Sequence, residues 1–157
     1  MNKEKTTRVL NYLEELFPDA YCELNHDSDF QLLVAVMLSA QTTDKKVNEL
    51  TKDLFKKYPD VKTMSQASLI QLQEDIKTIG LYRNKAKNLL AMSKMLIEKY
   101  DGKVPSAQKE LESLPGVGRK TANVVRSVAF DIPAFAVDTH VERISKRLGF
   151  AKKDDNV

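Results

Sequence analysis

A lysine that follows two glycines at the head of a helix is the group in this sequence best placed to do chemistry. Lys120 ends the stretch Leu114-Pro115-Gly116-Val117-Gly118-Arg119-Lys120. Ser106 to Leu114 reads as a short helix and Arg119 to Phe130 as another, so the glycines make a tight turn between them. Glycine lets a backbone approach a ligand closely, and free amides at a helix start point outward, so such a turn can cradle an anion. A cation is disfavoured at the positive end of a helix. Lys120 breaks that local rule beside an anion cradle, which points to a functional site. An amine attacks only when deprotonated, and both the helix N-terminus and Arg119 favour the neutral form. The plainer alternatives are a helix–helix turn stopped by glycine and a solvated lysine that touches phosphate.

A second candidate lies eighteen positions on, in Val137-Asp138-Thr139-His140-Val141. Asp138 opens the last helix, where aspartate is a good N-cap. A carboxylate there can also stabilise developing positive charge and help activate an amine, and cap bonds would fix its orientation. Thr139 reads as local structure, and His140 either assists near the site or packs. The two histidines, His26 and His140, have no ligand-like spacing, and Cys22 is the only cysteine. This sequence therefore supplies no internal disulfide, no cysteine-rich zinc site and no four-cysteine iron–sulfur cluster. A lone cysteine in an apolar setting is expected to be an inert core residue.

These groups need helices to position them, and helical periodicity dominates the chain. Val9, Leu13, Leu16 and Phe17 form one apolar stripe, ended by Pro18. Ser28 or Asp29 can cap a second helix, apolar all round over Leu32 to Leu38, which belongs at the centre of a domain. Thr42 or Thr43 starts a third, with Val47, Leu50, Thr51, Leu54, Phe55 and Tyr58 on one face. Ser65 or Ser68 opens another, with Gly80 as its stop, and a long helix runs from Asn84 to Asp101-Gly102. After the hairpin helices and a connector over 131–137, the last helix spans Asp138 to Leu148, with Val141, Ile144 and Leu148 inward. Nothing alternates like a sheet, so the fold class is all-α, a compact helical bundle.

The 157 residues fit one domain or two small ones. The net charge of +3 permits nucleic-acid binding without proving it, so a local basic patch matters more than the total. There is no signal peptide, and the longest apolar run, Leu32 to Leu38, is too short to span a bilayer, so an intracellular soluble protein is expected. Residues 151–157 are charged and carry no finishing cap or turn; the chain is expected to be a piece of a longer protein.

Leu114 to Ala122, followed by Val137 to Val141, closely resembles the endonuclease III family of helix-hairpin-helix DNA glycosylases. Leu38-Ser39-Ala40-Gln41-Thr42-Thr43-Asp44 and Ile79-Gly80-Leu81-Tyr82 resemble two further stretches of that family, in the same order. The resemblance implies a six-helix, barrel-like domain over 21–132. Residues 1–20 and 133–157 would be what remains of a second subdomain that normally holds a [4Fe–4S] cluster. It implies a base-excision repair glycosylase that removes oxidised pyrimidines and cuts the strand as an abasic-site lyase. Lys120 would attack the sugar C1′ to give a Schiff base, and Asp138 would stabilise the charge on the sugar. A monovalent cation would sit on the carbonyls of Glu112, Leu114 and Val117. Gln41 would fill the space vacated by the extruded base and Leu81 would press on the opposite strand. Read without the family, Gln41 merely starts a helix and Leu81 is core. Ser39, Asp44 and His140 would line the pocket. Gly116, Val117, Gly118, Arg119 and Arg143 would hold the DNA backbone, with Lys146, Arg147 and surface lysines Lys45, Lys46, Lys85 and Lys87 extending the track.

The implied partner is double-stranded DNA with a damaged base or abasic site, with no membrane and a cytoplasmic, nucleoid-associated location. A monomer is expected, with dimerisation through the apolar faces of the first and last helices as the alternative. Two other functions stay open: a DNA-binding fragment without turnover, and a monofunctional mismatch glycosylase.

Overall fold

The computed structural model describes residues 1–155; the expectation for 133–157 includes Asn156 and Val157, which lie outside the described residues. Among the described residues there are nine helices and no strand, so the fold is all-α. The chain divides into two compact units, one made of 1–22 with 137–155, the other Glu23–Ala136.

The first unit holds α1 (Lys3–Leu16) and α9 (Thr139–Leu148). Each has a side-chain N-cap: Asn2 accepts from the Lys5 amide, and Asp138 from the amides of His140 and Val141. Neither helix buries a residue. The stripes expected to face inward are only partly covered: Val9, Val141 and Leu148 are half-buried, whereas Leu16 is 50%, Phe17 63% and Ile144 49% exposed. Cys22, expected in a core, is only partly covered.

The second unit is built around α2 (Asp29–Leu38), capped by Ser28 and buried at nine of its ten positions. An apolar surface on every side can be satisfied only at the centre, and α3 (Asp44–Lys57), α6 (Tyr82–Tyr100) and α8 (Arg119–Phe130) pack against it. Thr43, not Thr42, caps α3. A short α4 (Val61–Ser65), absent from the sequence reading, is closed by a capping box between Asp60 and Thr63 and buries Val61 and Met64. The α5 helix (Leu69–Ile76) starts at the Ser68 cap but ends before Gly80. Gly80 is not in the left-handed region; the next residue, Leu81, is. The α6 helix ends as expected at Asp101-Gly102, where the Gly102 amide donates to the Leu96 carbonyl at 2.8 Å.

Asp75 ties the end of α3 to α5. Its carboxylate accepts from Lys57 Nζ at 2.8 and 3.0 Å, from Tyr58 Oη at 2.9 Å and from Gln71 Nε2 at 3.0 Å. Burial pushes the Asp75 carboxyl up, but these hydrogen bonds and the Lys57 charge outweigh it and hold the group below its usual range.

The helical hairpin joins α7 (Gln108–Glu112) to α8. Leu111, Leu114 and Val117 are buried beneath it, and the Leu114 carbonyl accepts from the Val117 amide at 3.1 Å. Gly116 has φ +77°, and a Cβ there would lie 2.8 Å from Asn88 Cβ on α6. Gly118 is extended, with φ −100° and ψ −175°, and a Cβ there would meet nothing within 4 Å.

Two outcomes follow from this packing. Gly116→Ala should lower unfolding stability by at least the ~1–2 kcal/mol of a left-handed alanine, because the Asn88 contact adds to it. Gly118→Ala should stay within ~0.5 kcal/mol of wild type; urea melts that rank the two alike would contradict the account. A depressed native pKa stabilises above the unfolded value of 3.8, and that stability is lost as pH falls through the native value. Asp75→Asn should therefore cost roughly 1 kcal/mol at neutral pH. It should also flatten the acid limb of a stability–pH curve below about pH 4; an unchanged limb would remove Asp75 as its source.

Candidate functional site

Lys120 is the second residue of α8, and it is exposed. Six helices carry side-chain N-caps, whereas α6, α7 and α8 carry none. Gly118 is the cap residue of α8, and the first turn holds no acidic side chain. The leading amides of α8 are therefore left without a side-chain acceptor, beside Arg119 and Lys120. Gly116, Gly118 and Arg119 are exposed, while Val117 is 7% exposed and can offer a ligand little beyond its backbone. Arg126 fixes α8 to the entry of α7, donating to the Ser106 carbonyl at 3.2 Å and to Gln108 Oε1 at 3.3 Å. The Leu114 carbonyl, one of the three expected cation ligands with those of Glu112 and Val117, keeps a second lone pair beyond its bond to Val117.

Gln41 and Leu81 are the two residues that their backbones set apart. Four non-glycine residues among those described have positive φ, and two of them, Asp101 and Asp131, end helices. The other two are Gln41, at φ 55°, and Leu81, at φ 59°. A leucine gains nothing locally from the left-handed region, which is unfavourable for any side chain with a Cβ. Both residues project into solvent, Leu81 at 55% exposure, so Leu81 is not core. Backbone strain of this kind gathers where surrounding structure imposes it for a purpose.

The segment around Gln41 is fastened by Lys85. Counted in the sequence among surface lysines that extend a phosphate track, Lys85 is instead only 7% exposed. Its ammonium donates to the Leu38 carbonyl at 3.0 Å, the Ala40 carbonyl at 2.7 Å and Thr42 Oγ1 at 3.0 Å. Its own amide donates to the Leu81 carbonyl at 3.0 Å. Burial pulls the proton affinity of Lys85 down. The signal for this position was present in the sequence: Lys85, Leu89, Met92 and Leu96 share the inward face of α6. Lys45, Lys46 and Lys87 are exposed, as expected of surface lysines.

The first two turns of α6 thus gather three candidate features. Leu81 stands at its start, Lys85 one turn on holds the Gln41 loop, and Asn88 two turns on seats Gly116 of the hairpin. Seven helical residues rise only ~10 Å, so the three attachments fall within that span. Ser39 ends α2, with its hydroxyl donating to the Val36 carbonyl at 2.7 Å, and Asp44 is the exposed first residue of α3.

In the other unit, Asp138 Oδ1 accepts from the amides of His140 at 2.9 Å and Val141 at 2.8 Å, so the carboxylate is oriented by its own cap. Arg143 Nη2 lies 3.0 Å from His140 Nδ1; arginine can only donate, which makes that imidazole nitrogen the acceptor. Lys146 is paired with Glu142 at 2.6 Å. Among the described residues no group of three His, Cys, Asp or Glu side chains could hold a metal ion, and no helix is long and apolar enough to cross a membrane.

Residues 34–157 match the HhH-GPD superfamily base excision DNA repair protein model. The chain is 56% identical over all 157 residues to endonuclease III of Bacillus subtilis (strain 168), and spans 72% of that protein's length. Its fold superposes with a TM-score of 0.95 on a non-covalent endonuclease III–DNA complex at 54% identity, covering 99% of this chain and 73% of the other. It also matches a trapped endonuclease III–DNA covalent intermediate, an estranged-adenine complex, with a TM-score of 0.95 and 55% identity over 99% of this chain and 73% of the other. By family match, sequence identity and overall fold, the chain belongs to the HhH-GPD superfamily of base excision DNA repair proteins, within its endonuclease III family.

Proposed function

We propose that this chain excises oxidised pyrimidines from double-stranded DNA and then cuts the strand at the resulting abasic site. The observation that carries this reading is the exposed Lys120 on the uncapped first turn of α8, directly after the hairpin. The hairpin amides and Arg119 take a backbone phosphate, with Arg143 adding a contact from α9. The neutral Lys120 amine then attacks C1′ of the damaged nucleotide, the glycosidic bond breaks, and the base leaves with its electron pair and a proton. Ring opening gives a Schiff base on Lys120. Loss of a proton from C2′ expels the 3′ phosphate by β-elimination, and water releases Lys120 from the product. Asp138, held by its cap bonds, stabilises the positive charge that grows on the sugar.

Gln41 and Leu81 enter the duplex when the base is extruded, and their exposed, left-handed positions support that role. Ser39, Asp44 and His140 line the base pocket. Carbonyls of Glu112, Leu114 and Val117 are offered to a monovalent cation, which would hold the hairpin in shape. The family's [4Fe–4S] cluster does not fit the residues present, because four thiolates cannot come from one cysteine. Residues 21–132 act as the DNA-reading domain, and 1–20 with 133–157 as part of the second subdomain. The protein works as a monomer in the cytoplasm, on nucleoid DNA.

Borohydride should trap a covalent adduct between the wild-type chain and an abasic duplex, and Lys120→Ala should abolish it. An adduct that survives the substitution rejects Lys120 as the nucleophile. Duplex binding without nicking would favour a binding module, and base release without strand scission a monofunctional glycosylase. Binding should weaken steeply with salt, and Arg119→Ala should reduce the log–log salt slope by roughly one. An unaltered slope would place Arg119 away from phosphate.

A further inference from the structure

We propose that Lys85 is a positioning residue for base extrusion: it holds Gln41 and Leu81, the two residues that enter the duplex, at a fixed separation. The inference rests on the reading that those two side chains do enter it. Three observations carry it. The Lys85 ammonium binds the carbonyls of Leu38 and Ala40 and the Thr42 hydroxyl, which bracket Gln41 on both sides. Leu81 is the N-cap of α6 and Lys85 lies one turn into that helix, so the bonds of the Lys85 side chain tie the Gln41 loop to the helix that Leu81 opens. Among the described residues, Gln41 and Leu81 are the non-glycine residues with positive φ that do not end a helix, a strained conformation that surrounding structure has to hold.

A surface phosphate contact cannot explain these bonds, because all three donor directions of an ammonium are already used inside the protein. Nor does the site ask for a charge by itself. The partners are neutral oxygens, two of them at the C-terminal end of α2, where the helix dipole is negative. An extrusion step must replace the pairing and stacking of the target base at a cost of roughly a few kcal/mol, and a wedge that can recoil recovers less of it. A rigid pair of wedges is the remedy, and a side chain that fastens the Gln41 loop to the helix opened by Leu81 supplies it.

The test compares two reactions of one protein. Lys85→Met keeps the length of the side chain and removes the donors. Single-turnover release of thymine glycol from a matched duplex, which requires extrusion of a stacked base, should fall about tenfold or more, the equivalent of ~1.4 kcal/mol. Nicking of a preformed abasic duplex, where no base is left to unstack, should fall less than about threefold. In a Gln41→Ala background the same substitution should cost less than it does in wild type. A structural loss alone would lower both reactions in proportion and add independently of Gln41, and either result overturns the proposal. If Lys85→Met does not fold, Thr42→Val removes one acceptor alone and should shift the ratio of the two reactions in the same direction; an unchanged ratio overturns it. A wild-type chain that nicks neither substrate defeats the functional reading instead. Faster amide exchange over 40–42 in Lys85→Met still reads the restraint in that case, and unchanged exchange rejects it.

Discussion

A buried ammonium organises the functional half of this molecule. Lys85 gives up hydration to sit on the inward face of α6, and such a transfer is tolerable only when every donor finds an oxygen. It finds three, the carbonyls of Leu38 and Ala40 and the hydroxyl of Thr42. Two of these lie where α2 runs out and its last carbonyls have no helical partner. One side chain therefore closes the C-terminal end of the central helix and shapes the loop that follows. Gln41, in the left-handed region, lies within that loop, between the Ala40 and Thr42 attachments.

The two units stand on different physical footings. In the second, α2 is apolar on every face and nine of its residues are buried, so the hydrophobic effect fixes its place and its neighbours pack around it. In the first, α1 and α9 bury no residue, and their order depends on caps and local hydrogen bonds: Asn2 for α1, Asp138 and the Glu142–Lys146 pair for α9. Asp138 consequently has a structural duty beside any chemical one. Its carboxylate cannot leave its cap without loosening the start of α9.

How much the sequence disclosed followed the range of the forces involved. The bounds of α8, the all-apolar centre of α2, the Asp138 cap and the Asp101-Gly102 stop rest on patterns a few residues long, and each was legible. The hairpin glycines also announced themselves, although the reason Gly116 must be glycine, Asn88 of α6, is remote in sequence. Gly80 misled because glycine ordinarily marks a helix stop, whereas here the unusual backbone belongs to Leu81. The stripes of α1 and α9 were legible only in part, because periodicity tells which face is apolar and not how fully it is covered: Val141 and Leu148 are half-buried while Ile144 is exposed. Lys85 was read as a surface lysine because lysine is so seldom buried, although it shares a helix face with Leu89, Met92 and Leu96. The α4 helix is only five residues long, too short for periodicity to register.

Leu81, Lys85 and Asn88 share α6, and each serves a different neighbour: solvent, the Gln41 loop and the hairpin. An α-helix turns by ~100° per residue. Inserting or deleting one residue between Leu81 and Asn88 would swing one attachment away from the others, whatever its chemistry. The length of this segment is therefore as constrained as its composition. This stretch of helix acts as a gauge block: its residue count sets the distance and the angle between the three attachments.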